Sequence, residues 1–171
     1  MNFEESVNYL DKFSNYEKRA HELKARFSLE PVRELAARLG NPQNSYPAAH
    51  VAGTVGKGSV CFMLEAALEA AGFKTALYTS PHLNDIRERL RIGGRTVSHR
   101  GFTRAVSYAR VAAREHFDRY TYFEVLTAGS FALFAAEKVD IAIIETGLGG
   151  RLDATNIVNP LVSVITTIGW D

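Results

Sequence analysis

Residues 50–59 read HVAGTVGKGS, and this stretch decides the fold. It begins as the end of an apolar strand and breaks into a turn with glycines at 53, 56 and 58. Glycine reaches backbone conformations that other residues avoid, so successive N–H groups can surround an anion closely. Lys57 adds a positive charge, and a helix predicted to begin near Ser59 directs its positive end to the same place. The stretch therefore predicts a phosphate-binding loop.

The match to the standard P-loop pattern is incomplete. The pattern GxxxxGK[ST] requires glycine at position 51 and a hydroxyl directly after the lysine. This chain has Val51 and Gly58 there, with Ser59 one position later. A glycine-rich turn with an exposed lysine is therefore the alternative interpretation of these residues alone.

Composition bounds the class of protein. The chain has 171 residues, 46% of them hydrophobic and 23% charged, which predicts one globular domain with a buried core. A formal net charge of +1 gives no reason to expect nucleic acid or an anionic membrane as a partner. The lone Cys61 excludes an internal disulfide and is expected in the core. Without a recognisable signal sequence or membrane-spanning run, we expect a cytoplasmic protein.

Hydrophobic periodicity predicts helices and strands that alternate along the chain. The strand, helix and strand around the phosphate loop form a βαβ unit, whose strands are parallel and joined by a right-handed crossover. The fold class is therefore α/β. The predicted elements are two helices within 2–39 with a break near Pro31, a strand at 48–52, a helix at 59–71, a strand at 73–78, an exposed hairpin or mobile loop at 84–100, helices at 101–117 and 124–137, and strands at 139–144 and 161–167.

Polar residues follow the predicted strands. Ser80 and His82 come after the strand at 73–78, and Glu145 ends the strand at 139–144. Ligands of α/β proteins bind at the carboxyl ends of parallel strands, so these side chains are expected near the phosphate loop. The carboxylate stands where a nucleotide-binding sheet would hold magnesium. A second glycine-rich segment, GLGGRLDATN, follows at 147–156.

Four arginines, at positions 87, 89, 91 and 95, lie in the predicted hairpin. They could attract an acidic substrate. Because Asp85 and Glu88 are interleaved with them, simple solvation is the alternative.

Four stretches in this order, HVAGTVGKGS, TSPHL, YFEVLT and ETGLGGRLDATN, resemble the folylpolyglutamate synthase and dihydrofolate synthase family of the Mur ligase group. The resemblance covers about residues 23–171. It implies a P-loop-type three-layer domain with a mostly parallel sheet and helices on both faces, as in the Mur ligase central domain. It also implies an ATP-dependent ligase that adds L-glutamate to dihydropteroate or folate through an acyl phosphate, with ATP and Mg²⁺ as cofactors and a monomeric chain.

The same resemblance implies roles for individual residues. Lys57 and Glu145 would be catalytic, and Ser80 with Glu145 would hold magnesium. Phe123 would stack on a pterin ring, and Asp153 would hydrogen-bond its amino-pyrimidine edge. The complete implied sets are Thr54, Val55, Gly56, Lys57, Gly58 and Ser59 for ATP, and Thr121, Tyr122, Phe123, Leu152, Asp153, Ala154, Arg26, Phe27 and Ser28 for the substrate.

The chain departs from the family pattern at three places. Val55 replaces the usual asparagine, so weaker nucleotide contact is expected. Ser28 and Pro31 stand where glycine and arginine are common. Asp171 ends the sequence where the family continues with a metal-binding histidine, a carbamylated lysine and a C-terminal domain. We therefore expect residues 1–171 to be an ATP-binding domain that is incomplete at its C-terminal end, lacks the C-terminal glutamate ligase domain and is inactive alone.

Three alternatives remain open from the sequence. One is a Mur-type ligase for a cell-wall precursor, against which TSPHL and YFEVLT argue. Another is a P-loop kinase or nucleotide switch. The third is a nucleotide-binding module without ligase activity, which Val55 and the missing C-terminal regions favour.

Overall fold

The computed structural model describes residues 1–15 and 28–169. This part of the chain forms a six-stranded sheet covered by helices. The helices are α1 (Phe3–Leu10), α2 (Glu30–Arg38), α3 (Lys57–Ala70), α4 (His99–Ala113) and α5 (Tyr122–Ala136), and the strands are β1 (Ala48–Ala52), β2 (Thr75–Tyr78), β3 (Leu90–Ile92), β4 (Arg95–Thr96), β5 (Ile141–Glu145) and β6 (Val162–Ile165).

The strands lie in the order β4-β3-β2-β5-β1-β6. Strands β2, β5, β1 and β6 are mutually parallel, whereas β3 and β4 add an antiparallel hairpin at one edge. Val51 of β1 is in register with Glu145 of β5, and Tyr78 of β2 with Ile144. The carboxyl ends of β1, β2 and β5 therefore meet at one edge of the sheet.

The sheet separates two layers of helices. Neighbouring residues of a strand point to opposite faces, so Leu77 and Ile143 pack with Cys61 of α3, whereas Tyr78 and Ile144 belong to the larger core on the other side. That larger core holds α1, α2, α4 and α5. The predicted three-layer α/β class and the buried position of the cysteine are confirmed.

Helix α5 is buried along most of its length because it packs against α4 and, through contacts of Phe131 and Thr127 with Tyr78 of β2, against the sheet. Gly129 permits this arrangement. A Cβ atom at Gly129 would lie only 2.4 Å from the carbonyl oxygen of Ala105 in α4, so no larger residue fits without moving the helices apart.

Helix α4 spans His99–Ala113 rather than 101–117, and two further boundaries that differ from the prediction bear on the site. Helix α3 begins at Lys57 rather than Ser59, because Gly56, at φ 87°, takes the N-cap position. Helix α5 begins at Tyr122 rather than Glu124, because the side chain of Thr121 accepts from the Glu124 N–H and forms a capping box with it. The lysine and the aromatic residues thus lie in first helical turns.

The exposed-hairpin alternative for residues 84–100 is confirmed in its centre. Gly93 and Gly94 have φ values of 57° and 67° and join β3 to β4. Positive φ at both central residues is typical of the tight hairpin turn. The hairpin also extends the main sheet, because β3 pairs with β2.

Candidate nucleotide and substrate site

The predicted phosphate loop connects β1 to α3. Its backbone is held by the segment after β6: the Thr54 N–H donates to the Thr167 carbonyl at 2.8 Å, and the Thr166 hydroxyl donates to the Val55 carbonyl at 2.8 Å. Gly53 has φ 139°, and a Cβ there would lie 2.0 Å from Thr166 Oγ1. Glycine is therefore required where the loop approaches this neighbouring segment.

The lysine of the loop turns back onto it. Lys57 Nζ donates to the carbonyl oxygens of Gly53 at 2.8 Å and Thr54 at 3.4 Å. The side chain of Val55 is 69% exposed and packs against little, while Ser59 is also exposed. The ammonium is therefore held over the loop by two carbonyl groups of the loop itself, at the amino end of a 14-residue helix.

Ser80 and Glu145 lie against each other beside this loop. The Ser80 N–H donates to Glu145 Oε2 at 3.1 Å, across the ends of β2 and β5. A Cβ on Gly58 would lie 3.8 Å from Glu145 Oε1, so the first turn of α3 runs directly over the carboxylate. The structure thus brings the three predicted elements, the lysine-bearing turn, the serine and the glutamate, to one edge of the sheet.

The environment of Glu145 is electrostatically mixed. The residue is 5% exposed, and burial raises the pKa of its carboxyl above the usual 4.5. The Ser80 N–H and the charges of Lys57 and Arg89 act in the opposite direction. Because burial penalises its negative charge more than these groups offset it, a further positive group beside the carboxylate would stabilise its ionised form.

Two hydroxyl groups at this edge have no hydrogen-bond partner among the described residues. They are the buried Oγ of Ser80 and the buried Oγ1 of Thr146, which directly follows Glu145. Buried polar groups are normally satisfied, so each points to a ligand or water at this position. Thr146 was missed by sequence reasoning, although its place after the strand end is the same signal that identified Glu145.

For Arg89, the alternative that the arginines of the hairpin are simply solvated is wrong. Its side chain is 1% exposed rather than solvated, its Nε donates to His82 Nδ1 at 2.9 Å, and its guanidinium lies 5.8 Å from the Tyr122 ring centroid. The neighbouring Arg87 and Arg91 form ion pairs, with Asp85 and Glu65 respectively. Charge pattern alone could not separate these cases, because the separation depends on which side chains face inward.

The predicted substrate residues on α5 differ in their surroundings. Thr121 caps the helix, and Tyr122 is buried at 3% exposure. The ring of Phe123 lies 5.9 Å from that of Tyr78, and a Cβ on Gly147 would lie 2.6 Å from Phe123 Cζ. The aromatic ring is thus covered by the start of the second glycine loop, which we define as residues 147–156.

Asp153 organises the second glycine loop. Its Oδ2 accepts from the N–H groups of Gly147 at 3.0 Å and Leu148 at 2.8 Å, and its Oδ1 accepts from the N–H and hydroxyl of Thr155 at 2.9 and 2.5 Å. These four bonds use the carboxylate fully. The predicted contact with a pterin edge stays a prediction, and it requires one of the four donors to be displaced.

The remaining predicted substrate residues divide into three cases. Leu152 is 42% exposed, whereas its neighbour Ala154 is buried. Ser28 is exposed, and its hydroxyl accepts from the Glu30 N–H at the start of α2, so it acts there as a helix-start residue. Arg26 and Phe27 lie outside the described residues.

Two features are absent from the part of the chain that the structure describes. None of the helices within 1–15 and 28–169 is long and apolar enough to cross a membrane. Within the same ranges, no group of three or more His, Cys, Asp and Glu side chains could hold a metal ion by itself. Besides the Glu145 carboxylate, a metal at this edge would therefore need oxygen ligands from hydroxyl groups, water or a bound phosphate.

The three-layer sheet with its phosphate loop has the Mur ligase fold. The chain matches a folylpolyglutamate synthase–AMPPCP–folate complex with a TM-score of 0.89 and 35% identity, covering 100% of this chain and 41% of that one. It matches *Mycobacterium tuberculosis* folylpolyglutamate synthase complexed with ADP with a TM-score of 0.86 and 36% identity, covering 99% and 37%. No protein-family model matches.

Sequence comparison agrees with these structures. The chain is 39% identical over 155 residues to the dihydrofolate synthase/folylpolyglutamate synthase of *Bacillus subtilis* strain 168, covering 85% of this chain and 36% of that protein. The chain belongs to the folylpolyglutamate synthase/dihydrofolate synthase family. It spans about a third of the length of this relative.

Proposed function

We propose that this chain is the ATP-binding part of a ligase that joins L-glutamate to folate or dihydropteroate. The observation that carries the proposal is the convergence of Lys57, Ser80 and Glu145 at one edge of the sheet. The names of the relatives, and the ADP-, AMPPCP- and folate-bound state of the solved neighbours, support the same activity.

In the proposed reaction, a carboxylate oxygen of the pteroyl substrate attacks the γ-phosphorus of ATP, and ADP leaves. The amine of glutamate then attacks the acyl carbon, and phosphate leaves with the formation of an amide. The first step brings several negative charges together, so the protein contributes mainly position and charge neutralisation. Lys57 and the N–H groups of Gly58 and Ser59 at the start of α3 suit that task.

The residues at this edge fit Mg²⁺. Ser80 Oγ is buried without a partner among the described residues, and the Glu145 carboxylate beside it accepts a hydrogen bond from the Ser80 N–H. Both are hard oxygen ligands, and Mg²⁺ is usually held by one or two carboxylates together with phosphate oxygens and water. Bound there, the ion would supply charge neutralisation at the transferring phosphoryl group.

Contacts at the second glycine loop support the substrate assignment. Phe123 touches Gly147, so the first turn of α5 and this loop form one wall next to the Glu145 strand. Within that wall, Phe123 is partly buried and Leu152 is exposed, which leaves apolar surface for a flat ring. Thr121, Tyr122 and Ala154 then act through helix capping and packing.

The assignment to a larger enzyme is part of the proposal. The relatives are nearly three times as long as the matched segment. We therefore propose that catalytic turnover requires a longer chain that also contains the further regions of these relatives. In this proposal, residues 1–171 belong to the ATP-binding domain of such an enzyme. We expect this domain alone to bind Mg²⁺–ADP without turnover.

The test compares the 171-residue chain with a version extended by the remaining regions of a relative. Glutamate-dependent release of ADP in the presence of dihydropteroate or a reduced folate, by the extended protein, would support the ligase. Release that depends on a cell-wall precursor instead would favour the other Mur-type ligases, and release without an amine acceptor would favour a kinase or switch. Nucleotide binding without turnover in both proteins would favour a binding module.

A further inference from the structure

A buried histidine connects the two glycine-rich loops, and the proposed reaction does not use it. His50 lies in β1, three residues before Gly53 of the phosphate loop, and is 7% exposed. Its Nε2 lies 2.8 Å from Oγ1 of the fully buried Thr155 in the second glycine loop. The Thr155 hydroxyl in turn donates to Asp153 Oδ1 at 2.5 Å. A continuous row of hydrogen bonds therefore runs from the strand to the loop.

The direction of this row follows from the number of protons. A hydroxyl has one hydrogen, and Thr155 gives it to the carboxylate of Asp153, which can only accept when ionised. Thr155 Oγ1 must therefore accept from His50, which places the ring proton on Nε2. Burial lowers the pKa of His50, although the negative charge of Asp153 opposes the shift, and a neutral ring with the proton on Nε2 satisfies this geometry.

The far end of the row determines the shape of the loop. Asp153 Oδ2 accepts from the N–H groups of Gly147 and Leu148, which draws the beginning of the loop onto its own carboxylate. Gly147 is the residue that contacts Phe123. A rotation of the Asp153 carboxylate would therefore move the wall that faces the proposed pteroyl site.

We propose that His50 is a positioning residue, which acts through Thr155 to orient the Asp153 carboxylate and so fixes the second glycine loop for the pteroyl substrate. The same strand then carries the phosphate loop at its end and the anchor of the substrate wall at its centre. The part of this inference that concerns substrate rests on the proposed function, whereas the part that concerns loop geometry does not.

Four variants test the row in matched pairs. His50→Leu removes the donor, whereas His50→Gln keeps an N–H group at a similar reach. Thr155→Val removes the hydroxyl with nearly unchanged shape, whereas Thr155→Ser keeps it. In each variant of this chain, amide hydrogen exchange is measured at Gly147 and Leu148, and affinity is measured separately for folate and for Mg²⁺–ADP.

Loss of the row is expected to accelerate exchange at Gly147 and Leu148 by about tenfold, since one buried hydrogen bond supports their protection. We expect this in His50→Leu and Thr155→Val, with near-normal exchange in His50→Gln and Thr155→Ser. Folate affinity should fall by about tenfold in the first pair only. Nitrogen NMR of the wild-type chain should find the His50 proton on Nε2.

Two results would overturn the inference: a wild-type His50 proton on Nδ1, or equal exchange at Gly147 and Leu148 in Thr155→Val and Thr155→Ser. If His50→Leu does not fold, the two threonine variants decide the question. If both the wild-type chain and the extended protein bind Mg²⁺–ADP but neither binds folate, the proposed substrate is wrong, while the exchange and NMR measurements still decide the role of His50.

Discussion

The two glycine-rich loops of this chain are similar in composition, but their backbone groups are hydrogen-bonded in different ways. The phosphate loop is held from outside, through Thr54 and Val55, by the segment after β6, and the charge it carries is the Lys57 ammonium. The second glycine loop is fastened from inside, because Asp153 takes up three N–H groups and a hydroxyl. Glycine content alone therefore does not identify an anion site. In a loop with an internal carboxylate, the backbone N–H groups already donate to that carboxylate and are not available to an anion.

From this difference we expect that nucleotide affinity at the phosphate loop depends mainly on Lys57. Lys57→Ala should reduce affinity for Mg²⁺–ADP by about a hundredfold, because it removes the charge aimed at the phosphates. The free energy of unfolding should change by less than about 0.5 kcal/mol, because the hydrogen bonds that the ammonium donates go to carbonyl groups of its own loop. Calorimetric titration and urea denaturation measure the two quantities.

Lys138→Ala is the matched control for this lysine. Lys138 is exposed and lies just before β5, at the opposite edge of the sheet. Its removal should leave ADP affinity unchanged. Equal affinity losses in the two variants would show that general surface charge, rather than the loop, determines nucleotide binding.

At the second glycine loop, the free energy of unfolding should instead be sensitive to added side-chain volume. Gly147→Ala should lower the free energy of unfolding by about 2 kcal/mol, because the new Cβ would lie 2.6 Å from Phe123 Cζ. Gly150→Ala, in the same loop, meets no atom within 4 Å and should change stability by less than about 0.5 kcal/mol. Urea denaturation of both variants gives the comparison, and equal stabilities would place Phe123 away from this loop.

Glu145 should reveal a conflict between stability and binding at the edge where the loops meet. Its folded-state pKa is raised by burial, so its ionisation destabilises the folded chain as pH rises above about 4.5. Glu145→Gln should therefore be more stable than wild type at pH 7. This gain should shrink as the pH falls from 7 towards about 4.5, because the wild-type carboxyl then becomes protonated. The variant should also lose most of the magnesium-dependent gain in ADP affinity.

Denaturation as a function of pH, together with ADP titration with and without Mg²⁺, checks both statements about Glu145. Asp118→Asn, at an exposed acidic residue, is the control that should show neither change. A Glu145→Gln variant with wild-type magnesium dependence would remove this carboxylate from the metal site.

The smallest expected effect concerns the departure at Val55. Val55→Asn should strengthen Mg²⁺–ADP binding by about fivefold, because it places a polar side chain beside the phosphates where an exposed valine now stands. Stability should not change, since the valine packs against little. Val55→Thr, which has a similar shape and a shorter polar group, provides the control, and weaker ADP binding by the asparagine variant would contradict the prediction.

Much of the fold followed from local patterns. The βαβ unit, the glycine hairpin and the buried strand that ends at Glu145 were predicted because each depends on residues a few positions apart, through periodicity, backbone freedom and capping. The same reasoning predicted that Lys57, Ser80 and Glu145 would share one edge, since parallel strands bring their carboxyl ends together.

Other features depended on partners far apart in the sequence. Whether Arg89 is buried, what Phe123 touches and which donors Asp153 accepts are decided by packing. His50 and Thr155 are 105 positions apart, and no spacing rule relates them. Sequence alone thus determined the elements and the edge where chemistry is expected, because those follow from local backbone preferences. Tertiary structure alone decided which polar groups are already satisfied, because hydrogen bonds and burial depend on three-dimensional neighbours.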